Sequence, residues 1–197
     1  MGRIVQKADG KGSLRDIQVL INNHPVLLSS RIQEILGQPI EIEWLSPLKN
    51  DGFAEYRDAE FIRKLGCDHL DMPLERFWPS RGPQWDGLGR SGESIFLIEA
   101  KANMPEILSP PMKAQDERSI RLIKYSLEET KRFVNSKSEA DWSKFFYQYT
   151  NRLAHLYYLR QLNGTSAYLV FIYFTGDASV DGHATSREEW RGAVRLM

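Results

Sequence analysis

The chain has 197 residues, 42% of them hydrophobic, which suits one domain of ordinary size with a substantial core. Lysine plus arginine and aspartate plus glutamate each total 26, so the formal charge is zero. That excludes a histone-like or polybasic protein held to nucleic acid by bulk charge, and any phosphate-binding site must be local. A single cysteine, Cys67, excludes an intramolecular disulfide framework and a cysteine-rich zinc site, which points to a reducing compartment, the cytoplasm by default.

Residues 1–22 contain no continuous apolar run of the kind a secretion signal needs. The longest apolar run, Ala167 to Phe174, is too short to cross a bilayer, so no membrane association is expected. Gln6 stands where N-myristoylation requires Ser or Thr, and Asn163-Gly164-Thr165 reads as a turn rather than a glycosylation acceptor.

In chain order, residues 1–39 read as a helical extension ahead of a compact unit over 40–197. Ser30 with Gln33 resembles a capping box, and Ile32, Ile35 and Leu36 form one apolar helical face that stops at Gly37 and Pro39. Ile40, Ile42 and Trp44 alternate with Glu41, Glu43 and Leu45 as in a half-buried strand ending at Pro47, followed by a turn at Asn50-Asp51-Gly52. Residues 53–65 place Phe53, Tyr56, Ile62 and Leu65 at mostly helical spacing with Gly66 as the stop, so Glu55 and Glu60 are expected to ride on that helix. Residues 71–92 read as a long loop or short-stranded excursion. SIFLIEA, residues 94–100, is a short strand buried on both faces.

Two helices are expected next, over 117–134 and 141–161, and AYLVFIYF after Asn163-Gly164 is the strongest strand signal in the chain. Residues 187–197 begin another helical stretch with Trp190. Helices alternating with strands predict an α/β architecture, a mixed sheet with helices on both faces.

Charge appears where core is expected in one place. Asp86 is followed, thirteen residues later, by Glu99-Ala100-Lys101 at the end of the SIFLI strand. With a period of two, Glu99 and Lys101 project to one face and Ala100 to the other. Burying either charge alone is costly, so pairing, metal or solvent access is required. If Asp86 ends a neighbouring strand in a hairpin, its carboxylate approaches Glu99, and two close carboxylates with open water positions suit Mg²⁺. The plainer reading is a salt bridge of Lys101 with Glu99 or Asp86 at a sheet rim.

These residues, with the strings EYRD, GPQWDGL, IEAKA and YQYTNRLAHLYYL, make the chain resemble the PD-(D/E)XK nuclease superfamily, the restriction-endonuclease-like fold, over roughly residues 53–175, and within it a set of uncharacterised bacterial proteins. The resemblance implies a restriction-endonuclease-like α/β core. It further implies that Asp86 and Glu99 hold Mg²⁺ or Mn²⁺, that Lys101 is the catalytic lysine, and that a helix glutamate, Glu55 in preference to Glu60, joins the metal site. Trp85 stands where the name-giving proline would be, with Pro83 two residues earlier.

A second cluster lies on the 141–161 helix, where Gln148, Asn151, Arg152 and His155 fall on one third of the circumference beside an apolar stripe of Trp142, Phe145, Tyr149, Leu153 and Leu156. The stripe reads as core. The polar group either faces the active cleft, where the resemblance implies that Gln148 and Arg152 contact substrate or metal-bound water, or is a solvated face with a structural histidine. Residues 113–132 carry six cations against four anions, a weak phosphate-tracking signal. Phe77, Trp78 and Trp85 read as loop anchors more readily than as base-stacking platforms. The expectation is a Mg²⁺-dependent nuclease acting on DNA in preference to RNA, with a partner protein or homodimer possible. The rival is a catalytically silent nucleic-acid-binding or structural module of the same fold; a metal-free glycosidase with paired carboxylates would leave Lys101 without a role.

Overall fold

A computed structural model describes residues 2–67, 69–180 and 182–197. Its elements are β1 (Arg3–Ile4), α1 (Ser13–Asn23), α2 (Pro25–Leu36), β2 (Glu43–Ser46), β3 (Glu55–Tyr56), α3 (Asp58–Lys64), α4 (Leu74–Phe77), β4 (Gly87–Ser91), β5 (Ser94–Lys101), α5 (Glu117–Phe133), α6 (Tyr147–Tyr157), β6 (Ala167–Tyr173) and α7 (Arg187–Val194). The architecture is α/β, with a four-stranded mixed sheet in the order β2-β4-β5-β6 and helices on both faces. No helix among the described residues is long and apolar enough to cross a membrane.

The sheet is organised by β5. It pairs antiparallel with β4 through the Ser91–Ser94 hairpin and parallel with β6, so its backbone is bonded on both sides. Alternation then sends Phe96, Ile98 and Ala100 to one face, against Ile17, Ile21 and Trp44, and Ile95 and Leu97 to the other, against Phe61, Trp85 and Leu159. Five apolar residues of β5, Ile95 to Ile98 and Ala100, are at most 1% exposed. Each large one contributes about 2 kcal/mol of burial. Gly89 in β4 is required by close approach: a Cβ there would lie 2.7 Å from Ile42 Cγ2 and 3.1 Å from the Trp44 ring, which crosses the strand.

Several sequence expectations are corrected. The N-terminal 39 residues hold two helices and a strand, not one short helix; α2 begins at Pro25, and Ser30 lies inside it with its hydroxyl donating to the Val26 carbonyl at 2.7 Å. The buried positions of α2 are Leu28 and Ile32, while Ile35 is 81% exposed. The expected 53–65 helix is a strand followed by a helix, because residues 55–56 pair antiparallel with Arg3–Ile4 before α3 starts; Glu55 therefore rides on β3, and only Glu60 is helical. Gly66 ends α3 as expected, with φ +68°.

The expected 141–161 helix starts only at Tyr147 and closes in a π-helical turn over Tyr158–Leu162 that points the Tyr158 hydroxyl to the Met72 carbonyl. Residues 141–146 form turns, held in part by the Asp141 carboxylate accepting from the Ser143 N–H at 2.9 Å. Phe77, Trp78 and Trp85 are all buried, which makes them anchors of the 71–86 segment.

Candidate active site

The site is assembled where β4 and β5 leave the hairpin. Asp86 immediately precedes β4, opposite the end of β5, and its Oδ2 accepts the Ala100 N–H at 2.7 Å. Glu99 and Lys101 project together onto the face covered by α6, and the Lys101 ammonium bonds both Glu99 Oε1 and, at 2.9 Å, Gln148 Oε1. The second oxygen of Glu99 accepts from Arg152 Nε at 2.6 Å. Glu99 is 1% and Arg152 3% exposed, so this is a buried carboxylate held between two cations. Arg152 also donates to the Gln84 carbonyl at 2.7 Å and to Asn151 Oδ1 at 3.0 Å, and its guanidinium lies 4.9 Å from the Trp85 ring centre.

Glu55 joins from β3. Its Oε2 accepts from Gln6, at 2.9 Å, and from Gln84. Glu60, the other candidate, points away and pairs with Arg63. Burial pushes the Glu55 carboxyl above its usual range, reinforced by the Glu99 charge and opposed by the two glutamine amides and Arg152. Asp86 is raised well above the carboxylate range, first by withdrawal from water, then by the charges of Glu99 and Glu55. Lys101 and the Ala100 N–H pull in the other direction.

Glu55, Asp86, Gln148, Asn151 and Arg152 line a cleft of about 1140 Å³ between the 78–84 loop and the 109–116 segment. Glu99 and Lys101 do not line this cleft; with Gln148, Tyr149, Phe171 and Tyr173 they line a separate small pocket. Among the described residues no group of three or more His, Cys, Asp or Glu side chains is placed to hold a metal ion. Mg²⁺ does not require such a group, since it is held by one or two carboxylates together with waters and substrate phosphates. Asp86 and Glu99 fit that role: all-oxygen donors whose mutual repulsion a cation would relieve.

The apolar stripe is core in part: Trp142 is buried and Leu153 and Leu156 pack half-buried against the same cluster, while Tyr149 is half-buried and Phe145, ahead of α6, is 59% exposed. The most deeply buried residues of α6 are Thr150, Asn151, Arg152, Ala154 and His155, and Gln148, Asn151 and Arg152 line the cleft. The polar side turns inward because Glu99 and Gln84 supply the partners Arg152 needs there.

His155 does not reach the cleft. It is 1% exposed, its Nδ1 meets the Asn151 carbonyl at 2.8 Å, and its ring is enclosed by Phe61, Phe77, Trp78 and Trp85. A direct substrate contact at His155 is therefore replaced by a packing role beneath the cleft floor. Burial, with the Arg152 charge, lowers its pKa from 6.5 to about 3 against the opposing Asn151 carbonyl. Between those values the unfolded chain binds a proton that the native state refuses, so stability falls as pH falls. The expected loss from this residue is about 1.4 kcal/mol per pH unit within that window. Urea unfolding of wild type and His155→Gln across acidic pH checks it; equal pH slopes in the two proteins would remove His155 as the cause.

Sequence reasoning missed Gln6 and Gln84 altogether. Gln84 was visible beside Trp85-Asp86, but Gln6, 49 positions from Glu55, had no local signal. Compared with protein-family models, curated proteins and solved structures, the chain matches none.

Proposed function

We propose that this chain is a Mg²⁺-dependent nuclease with a restriction-endonuclease-like core, hydrolysing phosphodiester bonds of DNA in preference to RNA. The observation that carries the reading is one cluster in which Asp86 and Glu55 line a large cleft and Glu99 and Lys101 are bonded to Arg152 and Gln148 of its lining. Asp86 and Glu99 would hold the divalent cation, with Glu55 beside Asp86 on the cleft lining. When bound there, the cation supplies polarisation of the scissile phosphate and a lowered pKa for an attacking water.

The protein's own groups divide the remaining work. Were Glu99 to hold a cation in place of Lys101, Gln148, which lines the cleft, would be the remaining partner of the ammonium. From that position Lys101 orients water and stabilises charge developing on the phosphate oxygens. Arg152 fixes Glu99 from below and the loop carbonyl of Gln84 from the side, so the acidic pair keeps its spacing. Gln6 and Gln84 orient Glu55.

A silent binding module of the same fold is the second reading, favoured by the commitment of both Glu99 oxygens to Lys101 and Arg152. Incubation with linear, circular, single-stranded and duplex DNA and with RNA, under Mg²⁺, Mn²⁺ or chelator, separates the two. Cutting of DNA that EDTA stops and Mg²⁺ restores is the expected result. Absence of cutting on every substrate with Mg²⁺ still bound would favour the silent module, and cutting indifferent to EDTA would end the metal reading.

A further inference from the structure

We propose that Arg81 and Lys113 form an anion-binding rim on the cleft that takes backbone phosphates of the DNA strand flanking the scissile bond, with Asp58 as the residue that positions Arg81. The nuclease reading supplies the identity of the ligand; the rim itself rests on separate observations.

Both side chains are exposed on the cleft walls, Arg81 in the 78–84 loop and Lys113 in the 109–116 segment. Among the described residues neither cation has a side-chain hydrogen bond or ion pair, although most other arginines of the chain have one. Asp116, on the Lys113 side, caps α5 by accepting the Ser119 N–H at 2.8 Å, and among the described residues it makes no ion pair with Lys113. The cleft carries carboxylates at Asp86 and Glu55 and, on its walls, the cations Arg81 and Lys113 with Asp116 near the latter. A chain of alternating phosphates would meet cations on either side of a metal-binding centre.

The backbone shows that the position of Arg81 is held at a cost. Arg81 has φ +66° and Asp58 φ +53°, left-handed conformations that non-glycine residues adopt under constraint. The two face one another: the Asp58 carboxylate accepts the N–H of Arg81 at 3.2 Å and of Gly82 at 2.9 Å. The base of the loop is already fixed by Gln84, through Arg152 and Glu55. The Asp58 clamp therefore adds nothing the base needs and sets the direction of the tip. Strain that a glycine would relieve is retained where the side chain is a free guanidinium over a cleft.

The test uses the full-length protein, a fluorescein-labelled duplex DNA and a matching single strand, fluorescence anisotropy in EDTA and in Ca²⁺, and thermal melting. Arg81→Gly is expected to melt about 2 °C higher, because the left-handed strain is gone. It is also expected to bind DNA about tenfold more weakly, with a salt dependence smaller by about one phosphate contact. Lys113→Ala is expected to weaken binding similarly without the gain in melting temperature. Asp58→Asn should weaken binding less than Arg81→Gly and leave the salt slope unchanged, since it disturbs position and removes no contact.

Wild type that binds DNA while Arg81→Gly and Lys113→Ala bind equally well overturns the rim and leaves the nuclease reading standing. Wild type that binds neither DNA overturns both. An Arg81→Gly protein that melts lower than wild type removes the strain argument and with it the role of Asp58.

Discussion

Lys101→Ala is expected to lower Mg²⁺-dependent DNA cleavage by roughly three orders of magnitude while leaving the fold and Mg²⁺ affinity largely intact. The lysine is only one of two cations on Glu99, so removing it leaves Arg152 to neutralise the buried carboxylate. Its ammonium is bonded to Gln148, a side chain that lines the cleft. Asp86→Ala is the companion, expected to lose Mg²⁺ binding and cleavage together. The measurements are single-turnover cleavage and calorimetric Mg²⁺ titration on both variants. Equal loss of metal affinity in the two would assign Lys101 to holding the site together, and full turnover in Lys101→Ala would end its catalytic assignment.

Arg152→Ala is expected to have the largest effect on stability. It leaves Glu99 buried with half its compensation gone, strips a hydrogen bond from the Gln84 carbonyl and removes the cation over Trp85. Breaking one partner of a buried ion pair costs about 3–5 kcal/mol, which in a chain of this size lowers the melting temperature by about 10 °C. The cause is checked by the double variant Arg152→Ala with Glu99→Gln, in which no uncompensated charge remains. Chemical denaturation should show the double variant recovering a substantial part of the loss. A double variant as unstable as the single one would place the cost in packing against Trp85 instead.

The two predictions differ in how much of their basis the sequence held. Asp86, Glu99 and Lys101 were legible because everything that arranges them is local: a period-two strand puts Glu99 and Lys101 on one face, and a hairpin brings Asp86 across from them. The α/β architecture was legible from the apolar runs that became β5 and β6. Glu55 was picked out, but on the wrong element, since β3 exists only because Arg3–Ile4 returns to pair with it. A helical pattern over 53–65 cannot reveal a partner strand some fifty residues earlier.

Sequence alone thus determined the fold class, the strand that carries Glu99 and Lys101 and the spacing of these charges, because side-chain alternation and turn chemistry act over a few residues. Only the tertiary structure decided which side of α6 is buried. The helical period separates a polar from an apolar stripe without saying which one faces inward, and the sequence favoured the apolar stripe as core. Arg152 faces inward because Glu99, 53 positions away, compensates its burial, and His155 leaves the cleft because four aromatic rings close around it. Burial of a charge depends on a partner that the chain supplies from a distance, and that pairing exists only once the sheet and helix have met.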